Sequence, residues 1–212
     1  MYTTIPDLSG TILSSPTVLK DRIGLYDKGF MGKIYIISEY VRNPYTVMGI
    51  AYGSPALMLK DDTYYTAFIT QAGKLYIWKE TEAKDVIPLE VSLKGVFFCN
   101  VVSNGNYFYA LAANGTLYRI SLDGKTLAVK IPNATAKEAS LTVEKSTTGL
   151  GSNIYVGIDG NLIYGFNENM ELLQGFPITG TGKPVFADIN GDKSKDCFVL
   201  TIDNKLNAWN LR

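Results

Sequence analysis

The sequence contains no histidine, and this absence excludes several classes of functional site. Its 212 residues include 20 Lys and Arg, 20 Asp and Glu, and no His. Without imidazole the chain cannot build a Ser-His-Asp or Cys-His nucleophile, an HExxH metalloprotease site, or a zinc site that needs a histidine ligand. Its function must therefore rest on carboxylates, amides, hydroxyls, aromatic rings or apolar surface.

Cysteine is also scarce. The chain has two, Cys99 and Cys197, and each lies in an apolar run. Two cysteines are too few for a disulfide framework, and they lack the spacing of a metal-binding pair. We predict that both are buried free thiols.

Excess charge and long apolar runs are missing too. The formal net charge is zero and no basic block occurs, so we expect neither nucleic acid nor an acidic membrane surface as partner.

No apolar stretch approaches the roughly 18 residues of a membrane helix, so we expect no membrane insertion. The first residues lack the basic start and apolar core of a signal peptide. The chain would therefore work in the cytosol, or outside it as a mature or excised domain of a longer protein. We also expect a monomer.

A turn residue followed by alternating apolar residues recurs five times. The first apolar residues of these copies lie 41 to 45 residues apart, at Ile34, Leu75, Leu117, Leu162 and Leu206. Pairs ending in proline, such as Ile87-Pro88 and Phe176-Pro177, recur in step with them. A fixed period of this size is typical of repeat architectures. Turn-forming pairs such as Asn114-Gly115 predict two-residue hairpins within each repeat.

The third predicted strand of each repeat is apolar on both faces. In the second repeat, Leu75 and Ile77 alternate with Tyr76 and Trp78. A strand of this kind is covered by a sheet on each side, and radially stacked four-stranded sheets form a β-propeller. We predict an all-β fold, with a single β-propeller domain over residues 1–212 made of five four-stranded blades.

The predicted repeats span approximately residues 11–50, 51–92, 93–135, 136–180 and 181–212, and residues 1–10 supply one more strand. The first strand of the third repeat is predicted at residues 96–98. Residues 1–10 contain Ile5-Pro6, which marks a fourth strand, whereas the last repeat stops on a third strand. The N-terminal strand would then complete the last blade and close the ring, which removes a free sheet edge. The alternative is a five-repeat fragment of a larger propeller.

One segment places oxygen-bearing side chains at alternate positions. These side chains are Asp188, Asn190, Asp192, Ser194 and Asp196. Ca²⁺ takes six to eight oxygen ligands, and a tight loop that alternates ligand and spacer can curl its oxygens around one centre. A solvated polar hairpin is the alternative, because the same residues favour turns. An EF-hand is excluded, since the Glu that it needs at position twelve is Val199.

The segment over residues 183–209 resembles the FG-GAP/VCBS-type calcium-binding repeat of β-propellers. The other repeats are similar to the quinoprotein-like (PQQ-type) propeller repeats as well. The resemblance implies one structural calcium site with side-chain ligands and one position where a backbone carbonyl often ligates. The implied side-chain ligands are Asp188, Asn190, Asp192 and Asp196, and the carbonyl position is Ser194. Lys193 stands where the family usually has glycine.

The features above favour a non-catalytic scaffold for protein interaction or adhesion, with a protein or a glycan as partner. A lectin-like propeller is the alternative, although the five hairpin turns share no repeated binding set. A five-bladed glycoside hydrolase needs two carboxylates near the channel, whereas the predicted inner strands are apolar. Asp61-Asp62 is typical of a polar turn. We therefore expect no enzymatic activity.

Overall fold

The computed structural model describes residues 15–19, 22–27, 33–37, 45–47, 49–80, 87–132, 134–135, 139–146, 151–192 and 194–211. These residues form nineteen strands and no helix, so none of them belongs to a helix that could span a membrane. The predicted strand over residues 1–10 lies outside the described residues, and so does Lys193.

The strands form five antiparallel sheets, each in chain order. Sheet 1 comprises β1 (Thr17–Leu19), β2 (Arg22–Asp27), β3 (Lys33–Ile37) and β4 (Tyr45–Thr46). Sheet 2 comprises β5 (Ala56–Lys60), β6 (Thr63–Ile69), β7 (Lys74–Lys79) and β8 (Leu89–Ser92). Sheet 3 comprises β9 (Val102–Ser103), β10 (Phe108–Leu111), β11 (Thr116–Ile120) and β12 (Thr126–Lys130). Sheet 4 comprises β13 (Ser140–Lys145), β14 (Ser152–Ile158), β15 (Leu162–Phe166) and β16 (Ile178–Thr179). Sheet 5 has three described strands, β17 (Thr181–Ala187), β18 (Asp196–Leu200) and β19 (Leu206–Asn210).

The first strands of successive sheets lie side by side. Strand β1 contacts β5, β5 contacts β9, β9 contacts β13, and β13 contacts β17. Each sheet therefore runs outward from a shared inner line, and in sheets 1 to 4 the fourth strand is outermost. This is the arrangement that the repeat pattern predicts for the blades of a propeller.

The core consists of layers between neighbouring sheets. Strand β7 is buried on both faces, as its sequence predicts: Leu75 and Ile77 pack toward sheet 3, whereas Tyr76 and Trp78 pack with Phe68 on the opposite face. All five are at most 4% exposed. Each buried aliphatic or aromatic side chain of this kind contributes roughly 1.5–3 kcal/mol, so the sheets depend on one another for most of their stability.

The prediction of a strand at residues 96–98 is wrong. The first strand of sheet 3 is β9, and Phe97 forms an isolated bridge to Ala112. The Phe97 N–H donates to the Gln71 carbonyl at 3.0 Å, and the Ala113 N–H donates to the Val96 carbonyl at 2.7 Å. The apolar run therefore bonds to the hairpin turns of sheets 2 and 3. Its Phe97 ring is 2% exposed in the layer between these sheets.

The hairpin turns also differ from the predicted two-residue type. In residues 112–116 the Ala112 N–H donates to the Thr116 carbonyl and the Gly115 N–H donates to the Ala112 carbonyl. Gly115 has φ +81°, whereas Asn114 stays outside the left-handed region. This is the three-residue connection that ends in a left-handed residue. A two-residue turn occurs instead at Asp61-Asp62, with φ 48° and 54°.

Gly73 occupies the same turn position in sheet 2, and we predict that its replacement by alanine is strongly destabilising. Its φ is +85°, and an added Cβ would lie 2.3 Å from the Leu93 carbonyl oxygen. Gly175 is the matched control, since its φ is +84° and an added Cβ would meet no atom within 4 Å. Gly175→Ala is expected to cost about 1 kcal/mol for the left-handed backbone, and Gly73→Ala about 3 kcal/mol or more. Thermal unfolding measures both; equal losses would contradict the predicted clash.

Both cysteines are free thiols, as predicted, but only one is fully buried. Cys197 is 0% exposed in the layer between sheets 4 and 5, next to Tyr155. Cys99 is half-buried, and its thiol donates to the Ala139 carbonyl at 3.2 Å. Burial raises the pKa of each thiol from 9.0 to about 11, and the charge of Asp159 adds to the effect at Cys99.

The raised pKa of Cys197 predicts a loss of stability in alkali. Below pH 9 the thiol is protonated in both states and contributes no pH dependence. Between pH 9 and 11 the unfolded chain loses a proton that the folded chain keeps, so stability falls as pH rises. The loss from Cys197 should reach about 2 kcal/mol at pH 10.5. Urea unfolding at pH 8 and 10.5 should show a smaller alkaline loss in Cys197→Ala than in the wild type; identical losses would contradict the assignment.

Candidate functional site

The loop between β17 and β18 contains four of the five predicted calcium ligands. The Oδ1 atom of Asp188 accepts the Gly191 N–H at 2.7 Å. The Oδ1 atom of Asn190 accepts the Asp192 N–H at 3.0 Å, and that of Asp192 accepts the Ser194 N–H at 2.8 Å. Three successive side chains are therefore fixed by backbone groups of one loop, as in consecutive Asx turns.

The fifth predicted ligand, Asp196, starts strand β18 and is 6% exposed, whereas Asp188, Asn190 and Asp192 are exposed. Lys195 forms an ion pair with Glu144 of β13, at 2.5 Å between Nζ and Oε1. Within the described ranges, no three Asp, Glu or Cys side chains lie together as a group that could hold a metal ion. Calcium binding by this loop therefore stays a prediction.

A cavity of about 260 Å³ lies at the inner ends of sheets 1, 2 and 3. It is lined by Thr17, Ser54, Pro55, Ala56, Leu57, Asn100, Val101, Val102 and Ser103. The Asn100 Oδ1 accepts the Ser54 N–H at 2.8 Å. These lining residues carry hydroxyl, amide and apolar groups, and none of them carries a carboxylate. They do not provide the pair of acids that glycoside hydrolysis uses.

A second cavity, of about 380 Å³, opens on the outer rim between sheets 2 and 3. We call it the rim groove; it is lined by Tyr65, Ile77, Lys79, Ile87, Leu89, Leu122 and Asp123. Ile87 is 91% exposed and Leu89 is 40% exposed. Asp123 forms an ion pair with Lys125 at 2.6 Å, and hydrogen bonds from Lys125 and Ser121 hold the pKa of its carboxyl below the usual range.

The rim groove has no signal in the sequence, where Ile87-Pro88 is one of several recurring pairs that end in proline. In the other pairs of this kind that the structure describes, the apolar residue is far less exposed. Ile131 is 1% exposed and Phe176 is half-buried.

A polar cluster joins sheets 3 and 4. The Asn104 Nδ2 donates to Glu168 Oε1 at 2.5 Å and to the Tyr109 hydroxyl at 3.2 Å. The Arg119 guanidinium donates to the Glu168 carbonyl at 2.6 Å and stacks over the Tyr107 ring at 4.4 Å. Burial raises the pKa of Tyr109 above its usual range. Because these groups bond to one another across two sheets, the cluster serves to fix the sheets in place.

We predict that Glu168→Ala lowers the free energy of unfolding by about 1–2 kcal/mol, because it removes the carboxylate that accepts from Asn104. The matched control is Glu90→Ala. Glu90 forms an ion pair with Lys74, but both side chains are at least 41% exposed, and surface pairs contribute about 0–1 kcal/mol. Urea denaturation compares the two; a Glu168→Ala effect no larger than the control would contradict a role in joining the sheets.

No known protein-family model matches this chain, and no curated protein matches it in sequence. Solved structures do match in fold. BamB from Moraxella catarrhalis superposes with a TM-score of 0.67 at 12% identity, over 93% of this chain and 57% of BamB. BBS1N, solved in complex with ARL6DN, superposes with a TM-score of 0.71 at 14% identity, over 100% of this chain and 68% of the BBS1N chain. The β-propeller domain of Cps50 (Swd1) from Myceliophteria thermophila superposes with a TM-score of 0.59 at 10% identity, over 98% of this chain and 73% of the Cps50 chain.

These likenesses confirm the predicted β-propeller fold. At 10 to 14% identity they concern the fold alone. The chain spans less than two thirds of BamB and about two thirds to three quarters of the other two. The calcium-loop type of repeat, which residues 183–209 resemble, has no counterpart among these findings.

Proposed function

We propose that this chain is a non-catalytic β-propeller scaffold that binds a protein partner through the rim groove. The observation that carries the proposal is the exposure of Ile87 and Leu89 beside an apolar cavity. Large apolar side chains that line a concave surface and are rimmed by polar groups are typical of protein interaction sites. Lys79 and Asp123 supply charged groups at this rim.

The strand next to the rim groove favours an extended segment as the bound element. Strand β8 is the outermost strand of sheet 2, and among the described residues it pairs with β7 alone. Its outer edge presents backbone N–H and C=O groups to which an added strand can bond. A segment lying along β8 would point every second side chain toward the groove. We therefore infer that the partner contributes an extended segment with alternating apolar residues.

Two observations support a role without catalysis. The whole sequence lacks histidine, and the residues that line the inner cavity are uncharged. A structure of similar fold, BBS1N, was solved in complex with another protein, ARL6DN. Protein binding by the chain described here would be a use of the same fold.

Selection of peptides from a random peptide library displayed on phage tests the groove. Selected peptides should carry alternating apolar residues, and Ile87→Asp should weaken their binding about tenfold or more by placing a charge in the contact. Leu172→Asp is the matched control, since Leu172 is 50% exposed, forms an isolated bridge to Phe166 of sheet 4 and does not line the groove. Equal affinities of both variants would contradict the proposed site. Binding to a glycan array in place of peptides would favour the lectin alternative.

We further propose that the loop over residues 188–196 holds one structural Ca²⁺. Its side-chain oxygens are oriented by the loop's own backbone, as described above, so little additional ordering is required on binding. The positive charge of Lys195 is paired with Glu144, which reduces its repulsion of a cation. Asp188, Asn190, Asp192 and Asp196 would then supply side-chain oxygens, and Ser194 its carbonyl.

Thermal unfolding in millimolar Ca²⁺, in Mg²⁺ and with a chelator tests the calcium proposal. A ligand at about 100 times its dissociation constant adds roughly 2.7 kcal/mol, which raises the midpoint by roughly 5–10 °C in a domain of this size. Asp192→Asn should abolish the calcium-specific rise, whereas Asp203→Asn, in a different exposed turn, should retain it. Equal midpoints in Ca²⁺ and in chelator would show that the loop is a polar turn only.

A further inference from the structure

One face of sheet 5 carries exposed aliphatic side chains, with Asp196 and Asn210 at its end by strand register. We call it the outer face; the cross-strand pairs Val185–Phe198 and Leu200–Leu206 lie on it. Val185 is 60%, Leu200 56% and Leu206 66% exposed. Ala187 and Ala208 share the face by the same register. Three large aliphatic side chains on one sheet face, each more than half exposed, are an unusual surface for a folded domain.

The opposite face of sheet 5 packs against sheet 4. Cys197 and Val199 are at most 1% exposed and pack against Tyr155 and Ile163 of sheet 4. Side chains alternate between the two faces of a strand, so Leu200 and Leu206 point away from sheet 4. The outer face is therefore the side on which the next sheet of the stack would lie.

The Leu200–Leu206 pair has equivalents in other sheets. Ile69–Leu75 in sheet 2 is the last cross-strand pair before a turn over residues 70–74, and Leu200–Leu206 in sheet 5 is the last before a turn over residues 201–205. The two turns have the same pair of backbone hydrogen bonds. Ile69 is 3% exposed and Leu75 is 0% exposed, so in sheet 2 this position is a sheet-to-sheet contact.

The same holds in sheet 3, where Leu111 pairs with Leu117 before the turn over residues 112–116. These side chains are 1% and 0% exposed, under residues of sheet 4. The sheet 2 pair lies in one buried cluster with Phe108, Ala110 and Ile120, which share a face of sheet 3. The same cluster contains Leu93, Phe97 and Val101 of the segment that connects the two sheets.

We infer that the outer face of sheet 5 is a docking surface for a further antiparallel sheet of blade type, supplied by a partner polypeptide. That sheet would present small and apolar side chains, as sheet 3 does toward sheet 2. The added sheet would pack face to face on sheet 5, as sheets 2 to 5 pack on one another. Among the residues that the structure describes, none covers Leu200 and Leu206, and the chain spans 57 to 73% of three solved chains of propeller fold. This inference does not rest on the rim groove.

The experiment adds a sheet of this type to the full chain. A copy of residues 93–132, which contains the covering face of sheet 3, is appended after Arg212 of the full chain. An environment-sensitive fluorophore is attached at Ala208→Cys on the outer face, and a control fluorophore at Ile202→Cys, in the turn, where Ile202 is 74% exposed. Emission is recorded at several protein concentrations, together with thermal unfolding and sedimentation velocity.

The inference predicts that emission at position 208 is that of a solvated dye in the unextended chain and shifts to the blue in the extended chain, whereas position 202 changes little. The extension should raise the melting temperature by several degrees. Leu206→Lys should cancel both effects in the extended chain while shifting the unextended chain by less than about 1 °C, since Leu206 is exposed there.

Three outcomes would overturn the inference. A dye at position 208 that is already shielded in the monomeric, unextended chain would mean that this chain covers its own outer face. Shielding that grows with concentration, together with a dimer in sedimentation, would make a second copy the occupant. An extension without effect on emission or melting would show that the face does not accept a sheet of this type.

Discussion

Packing of one sheet face on another is the interaction on which the rest of this structure depends. Short strands need further strands and a hydrophobic face to pack against for independent stability, and Leu75 and Leu117 are 0% exposed in layers shared with a neighbouring sheet. Because both faces of the middle sheets are apolar, each sheet requires a neighbour on each side. The repeat is thus a consequence of the packing, since one sheet creates the surface that the next must cover.

The polar parts of the molecule serve the same packing. The turns satisfy their own backbone groups, so that residues 70–73 and 112–115 can lie against the segment that crosses from sheet 2 to sheet 3. The cluster around Glu168 ties sheets 3 and 4 at their margin. The residues that line the inner cavity carry no charged groups, so the rims and faces are the candidate binding surfaces.

The two apolar surfaces that we assign to partners differ in their physical origin. The rim groove lies between the outer part of sheet 2 and the turn after β11 of sheet 3, and Ile87 is almost fully exposed beside it. The outer face of sheet 5 is a regular sheet-to-sheet surface without a covering sheet among the described residues. A peptide-like segment suits the first surface, because it offers a strand edge and a small cavity. A whole sheet suits the second, because that is what covers the equivalent positions elsewhere in the fold.

The sequence by itself determined the strand type, the period and the apolar character of both faces, because alternation and turn residues are local properties. It also located the loop over residues 188–196 and the burial of Cys197. Only the tertiary structure decided the course of residues 96–98, since Phe97 is held by turns of two different sheets. The tertiary structure also decided the burial of Leu75 and Leu206, which occupy the same position in their repeats. One is buried and the other is exposed, because burial depends on a neighbouring sheet that no local pattern encodes.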